Sequence, residues 1–160
     1  MNNKITLITW STQDQTNQII ESTKEIRSIE NSQWKEAGLN KEPVALKVEL
    51  DRGGIEYFLN HYAIESIQKR TDIPWTIPAG EDWSRISETQ HAIKLKEDCI
   101  GNVSAFGKII NTNFSIGYWT SDPQGERHGF VAVLTKLNNK VYIKGQVKTE
   151  GYLLRLVKKE

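Results

Sequence analysis

The sequence predicts an α+β fold, and three observations predict it. First, Val44, Leu46, Val48 and Leu50 alternate with Ala45, Lys47 and Glu49, the two-residue period of a half-buried strand. Second, short apolar runs recur around turn-forming residues: Ile55–Leu59 follows Gly53-Gly54, and Phe130–Leu134 and Val141–Ile143 flank Asn138-Asn139. Third, two stretches carry helical spacing: Ile64 and Ile67 within Tyr62–Lys69, and Trp83, Ile86, Gln90 and Ile93 further on.

In chain order, Lys4–Trp10 predicts a strand, with Ile5, Leu7, Ile8 and Trp10 on mixed faces. Ser11 or Thr12 is placed to cap a polar helix running through Trp34. Ile19, Ile26 and Ile29, at spacings of seven and three, give that helix a narrow apolar stripe. Two readings stay open: a surface helix packed on its own domain, or a helix that joins a partner. Residues 1–40 are expected to form an assembly or attachment arm that supports a homo-oligomer, with the main domain over 41–160. Gly38 is expected in a left-handed position at the end of the helix, and Pro43 excludes its continuation.

Val44–Leu50, the turn at Asp51–Gly54, the returning strand Ile55–Leu59 and the helix Tyr62–Lys69 follow. Pro74 favours extended backbone before it, Trp75–Ile77 should be a short strand, and Pro78 ends its pairing. A helix starts near Ala79 or Gly80, with Glu81 and Asp82 placed favourably against its positive end. Trp83 reads as a core anchor of this helix. Phe106, Ile109 and Ile110 are expected in the core, and Tyr152, Leu154 and Leu156 alternate with Leu153, Arg155 and Val157 in a last strand.

Composition excludes several function classes. Among 160 residues, 21 basic and 20 acidic side chains leave a formal charge of +1, too little to hold nucleic acid by neutralising phosphates. With Cys99 as the one cysteine, no intrachain disulfide forms, and a small core residue is the favoured role for its thiol. No apolar run approaches the ~20 residues that a membrane-crossing helix needs. The first ten residues lack the apolar region and cleavage site of a signal peptide.

His61, His91 and His128 show no metal-ligand spacing, and each reads as a surface or a satisfied core histidine. Ser121, Asp122 and His128 lie close together, yet Ser121 has no Gly-x-Ser-x-Gly elbow. No dense carboxylate loop supplies the six to eight oxygens that calcium takes. The chain is therefore expected to be no enzyme and to need no metal or cofactor. What remains is a polar loop after two aromatics: Tyr118, Asp122, Gln124, Glu126, Arg127 and His128 are the candidate binding residues. Glu126 and Arg127 would be polar contacts and Tyr118 an aromatic platform. The alternative places Tyr118 and Trp119 in the core above a plain polar loop, and for Trp119 the core is favoured.

Three segments carry a family resemblance: Trp75-Thr76-Ile77-Pro78-Ala79-Gly80-Glu81-Asp82-Trp83, Gly117-Tyr118-Trp119-Thr120-Ser121-Asp122, and Gly151-Tyr152-Leu153-Leu154-Arg155-Leu156-Val157-Lys158. Together they resemble the landmarks of the Fibrobacter succinogenes major paralogous domain, over roughly residues 64–159. That resemblance implies a C-type-lectin-like fold related to the formylglycine-generating-enzyme group, with the terminal strand pairing near the start of the domain. It implies a recognition scaffold and not a reaction, since that enzyme group uses a pair of cysteines. Calcium-dependent sugar-binding motifs are also incomplete: Glu42-Pro43-Val44 lacks a third oxygen ligand, and Asp122-Pro123-Gln124 has the wrong order. Ala79 stands where the family carries a hydroxyl cap, and the stretch 99–112 is shorter than its family counterpart.

The family belongs mostly to exported surface proteins of gut and rumen bacteria. Without an evident export signal, the expectation is a non-catalytic virion component of a phage: a head fibre, capsid decoration or tail protein. The alternative is an exported bacterial cell-surface domain that binds carbohydrate or protein; a hydrolytic enzyme stands behind both. The expected setting is a virion or extracellular surface, after a cytoplasmic stage in the producing cell.

Overall fold

The structure is a computed structural model that describes residues 7–9, 19–22, 31–50, 53–69, 74–86, 99–137 and 140–158. The strands are β1 (Leu7–Thr9), β2 (Ile19–Ser22), β3 (Ala45–Glu49), β4 (Ile55–Leu59), β5 (Trp75–Thr76), β6 (Asn102–Val103), β7 (Ile109–Ile110), β8 (Ser115–Trp119), β9 (His128–Thr135), β10 (Val141–Val147) and β11 (Arg155–Lys158). The helices are α1 (Ser32–Leu39), α2 (His61–Gln68) and α3 (Gly80–Ile86). Helices and small, mostly antiparallel sheets make the fold α+β, in the orders β1-β11-β5, β2-β3-β4, β6-β7 and β10-β9-β8. Among the described strands, β2 and β3 are the pair that runs parallel, and isolated parallel bridges join Gly101 to Ile116 and Tyr118 to Leu153.

Local sequence explains several elements directly. Gly53 and Gly54 take φ of 89° and 97°, the left-handed backbone that lets β4 fold back on β3 from Glu49↔Ile55 to Ala45↔Leu59. Asn60 caps α2: its Oδ1 accepts the Ala63 N–H at 3.1 Å and the Val44 N–H at 3.2 Å, while its Nδ2 donates to the Glu42 carbonyl at 2.8 Å. All of that lies in a fully buried residue, so the hairpin and the helix are fixed together. The β9–β10 hairpin pairs Leu134 with Val141 through His128 with Val147. Its expected turn at residues 138–139 lies outside the described residues, as do Ile26, Ile29 and the helix face beyond Ile86.

Two apolar cores lie on either side of β8. Ile116 and Tyr118 face one core with Trp34, Leu46, Phe58, Trp83, Val103 and Leu153. Trp119 faces the other with Leu59, Ile64, Val131, Tyr152 and Leu154. Every residue of β8 is buried, the pattern of a strand covered on both faces. The same cause removes the alternation expected at the C-terminus: Tyr152, Leu153, Leu154 and Leu156 are all buried. Trp83 and Trp119 are buried as expected, whereas Trp75 is half-buried at a sheet edge.

The N-terminal third differs most from expectation. The helix expected through Trp34 is interrupted: residues 19–22 form β2, which adds to β3 in the register Ile19↔Ala45 to Ser22↔Val48. Helix begins only at Ser32, where the Asn31 side chain accepts the Trp34 N–H at 3.1 Å. Trp34, Ala37 and Gly38, at helical spacing, are the buried face of α1. Trp34 is completely buried and donates its ring N–H to the Thr149 carbonyl at 2.9 Å. Core packing therefore runs straight across the boundary expected at residue 40. Gly38 is helical and not the left-handed terminus; Lys41 takes positive φ instead, and Gly38 is where α1 approaches Thr149. Phe106, expected in the core, is half exposed because it sits in the tight turn closed by Gly107 N–H to Ser104 carbonyl.

Candidate functional site

The candidate site is the loop at residues 122–129, held by backbone and side-chain bonds at both ends. At its start the Ser121 N–H donates to the Pro78 carbonyl at 3.0 Å, and the Asp122 N–H to the Thr120 hydroxyl at 3.3 Å. The Asp122 carboxylate accepts the Gly80 N–H, at 3.1 Å to each oxygen. Asp82 accepts the Ala79 N–H at 2.9 Å. The cap that Ala79 cannot provide is thus supplied from 42 residues away. At the far end, the Lys148 N–H donates to the Arg127 carbonyl and the Gly125 N–H to the His128 carbonyl, both at 3.0 Å.

Gln124, Glu126, Arg127 and His128 are exposed on this braced loop, as the sequence suggested. Asp122 is half-buried and engaged as a helix cap. Tyr118 is fully buried, stacked on Trp83 at 4.5 Å with the Arg155 guanidinium 5.1 Å from its ring. It is no contact platform, because β8 has a core on each face. Ser121 is exposed while the Asp122 carboxylate is turned to Gly80, so these two do not complete a triad with His128.

Beneath the loop lies a charged cluster. His61, the first residue of α2, is completely buried; its Nδ1 lies 3.3 Å from Glu65 Oε1. A carboxylate only accepts, so Nδ1 carries the hydrogen and Nε2 bears the lone pair. Lys148 Nζ bonds the same Oε1 at 2.7 Å, from a nearly buried side chain. Burial pulls the His61 pKa below its ordinary 6.5; Glu65 pulls it up, and Lys148 lowers it further. For Glu65, burial acts upward, but the Lys148 hydrogen bond and charge, then His61, hold it below the usual range. Glu150 is raised by burial, against hydrogen bonds from the Tyr152 hydroxyl and the Val147 backbone and the charge of His128. Tyr152 is raised by burial and then by Glu150.

The spacing His61-x-x-x-Glu65 just after a capping Asn was readable as one turn of helix. Lys148, 83 residues from Glu65, left no local signal. Chemically, the loop offers an amide, a carboxylate, a guanidinium and an imidazole to a polar partner. The His61 ring has no exposed surface, so it cannot reach a substrate as general base in this arrangement. In comparisons with known proteins, no family model, curated protein or solved structure matches the chain.

Proposed function

We propose that the chain is a non-catalytic recognition and structural module with a C-type-lectin-like fold, displayed on a particle or cell surface. Its contact surface is the loop at residues 122–129, with Gln124, Glu126, Arg127 and His128 as contacts. The observation that carries this reading is a loop exposed at those four residues yet bonded at its start to Gly80 of α3 and the Pro78 carbonyl and at its end to Lys148, just after β10. A preorganised loop loses little freedom on binding, so its polar groups act at low entropic cost. The fold assignment is supported by β11, which pairs with β1 and with β5 at the start of the landmark region, and by the burial of Trp83 and Trp119. The surface setting, a phage virion component by preference, rests on the family resemblance.

The test is co-purification of the full chain with an assembled particle, followed by the double variant Glu126→Gln, Arg127→Gln. Exposed charges away from special features change stability by no more than ~0.5 kcal/mol. The variant should keep its melting temperature and lose its partner. Unchanged association in the variant would remove the loop from the contact surface.

A further inference from the structure

The histidine beneath the loop has no place for a second proton. Nδ1 already donates toward Glu65, so a proton must enter at Nε2, which has no hydrogen-bond partner among the described residues. Gly129, the second residue of β9 and paired with Gln146 of β10, lies on that edge of the ring. A Cβ built there would sit 2.8 Å from Nε2 and 2.5 Å from Cδ2. Trp119 closes another side, its ring edge-on to His61 at 4.9 Å. The groups around the ring are unequal in charge. From α2 come Glu65 and, at the rim of the cluster, Tyr62; from the connection after β10 comes the ammonium of Lys148; β8 and β9 present uncharged Trp119 and Gly129. One carboxylate oxygen already serves Lys148 at 2.7 Å, so a second cation beside it is poorly compensated. The ring is also joined to the loop through backbone: the His61 N–H donates to the Lys148 carbonyl at 2.9 Å, and the Lys148 N–H to the Arg127 carbonyl at 3.0 Å.

We infer that His61 is a proton-operated latch for the loop: a proton at Nε2 lifts Gly129 off the ring, frays the last β9–β10 pairs at His128 and Gly129, breaks the Lys148–Arg127 bond and lets the contact residues go. Regulation of partner binding by this latch rests on the loop being the contact surface; the latch itself does not. Opening exposes the ring to water, where its pKa returns to the ordinary 6.5. Between that value and the lower folded pKa, opening therefore rises as pH falls, by up to about tenfold per unit for the one proton taken up. Above 6.5 the loop stays closed.

Amide hydrogen exchange on the full chain without any ligand tests this. The Lys148 amide reports the bond to Arg127, and the Gly151 and Trp119 amides, bonded to Val103 and Leu153, report the core. After correction for intrinsic exchange, Lys148 should lose protection as pH falls below ~6.5, by up to about tenfold per unit, while the core amides hold. The loss should vanish in His61→Gln and persist in His128→Gln, which removes the exposed neighbouring imidazole. Constant protection at Lys148, or a loss that persists in His61→Gln, overturns the latch. So does equal loss in the core, which would be global unfolding. Should His61→Gln not fold, the wild-type ring resonances decide: their midpoint must coincide with that of the loop amides, and different midpoints refute the coupling. A latch that works in a chain whose Glu126/Arg127 variant still binds its partner would separate this inference from the functional proposal.

Discussion

Replacing Trp34 with alanine tests whether the first forty residues belong to the folded domain. Trp34 is completely buried in the core that also holds Leu46, Trp83, Tyr118 and Leu153. A Cβ built on Gly151 would sit 2.6 Å from its ring, so the space around the indole is already filled by backbone. Truncation of a buried aromatic of this kind costs ~3–5 kcal/mol. It also strands the Thr149 carbonyl, now bonded by the indole N–H at 2.9 Å, which adds ~1 kcal/mol or more where water cannot enter. For a chain of this length ~1 kcal/mol lowers the melting temperature by ~2–4 °C, so a fall of at least ~6 °C is expected. The assay is urea denaturation with parallel thermal melting of the full chain. A Trp34→Ala variant within ~1 kcal/mol of wild type would refute the reasoning, as would a chain shortened to residues 41–160 with native stability. Either result would restore an independent arm.

Three further outcomes are expected. Asp122→Ala should lose ~1 kcal/mol, the usual worth of a helix cap, with Asp122→Asn recovering part of it in the same melt; unchanged melting with lost partner binding would make Asp122 a contact instead. Gly129→Ala should cost ~1–3 kcal/mol in denaturant, because its methyl meets His61 and, at 3.0 Å, Trp119 in a site without room; native stability would show that the ring has space to yield. Stability should fall at both ends of the pH range. His61, whose folded pKa lies below 6.5, withdraws stability as pH drops from there through its folded value; Glu65, held below 4.5, does so at still lower pH; and Tyr152, raised above 10, costs stability as pH climbs past 10, where the unfolded chain ionises first. Glu150, raised above 4.5, runs the other way and softens the acid limb. Denaturation midpoints across pH for wild type, His61→Gln, Glu65→Gln and Tyr152→Phe check each limb, and an unaltered limb in its own variant removes that group.

What the sequence determined by itself is the set of elements whose causes are local. Alternation at Val44–Leu50, two glycines at 53 and 54, and the return at Ile55–Leu59 are enough for the β3–β4 hairpin. Ile64 and Ile67 mark the buried face of α2, and Pro78 with Trp83 places α3. The exposure of Gln124 to His128 follows from a run of polar residues next to turn formers. Tertiary structure decided everything that depends on partners distant in sequence. The edge of β3 recruits residues 19–22 as a parallel strand, overriding the helical spacing of the sequence there. A second core behind β8 buries Tyr118, which alternation alone would have left open to solvent. Asp122 becomes a cap only because the fold brings the N-terminus of α3 to it, and Glu65 becomes an ion-pair partner only because Lys148 arrives from the connection after β10. Periodicity reports which side of an element is apolar; it carries no information about what will cover the other side, and here that second covering set both the core and the candidate site.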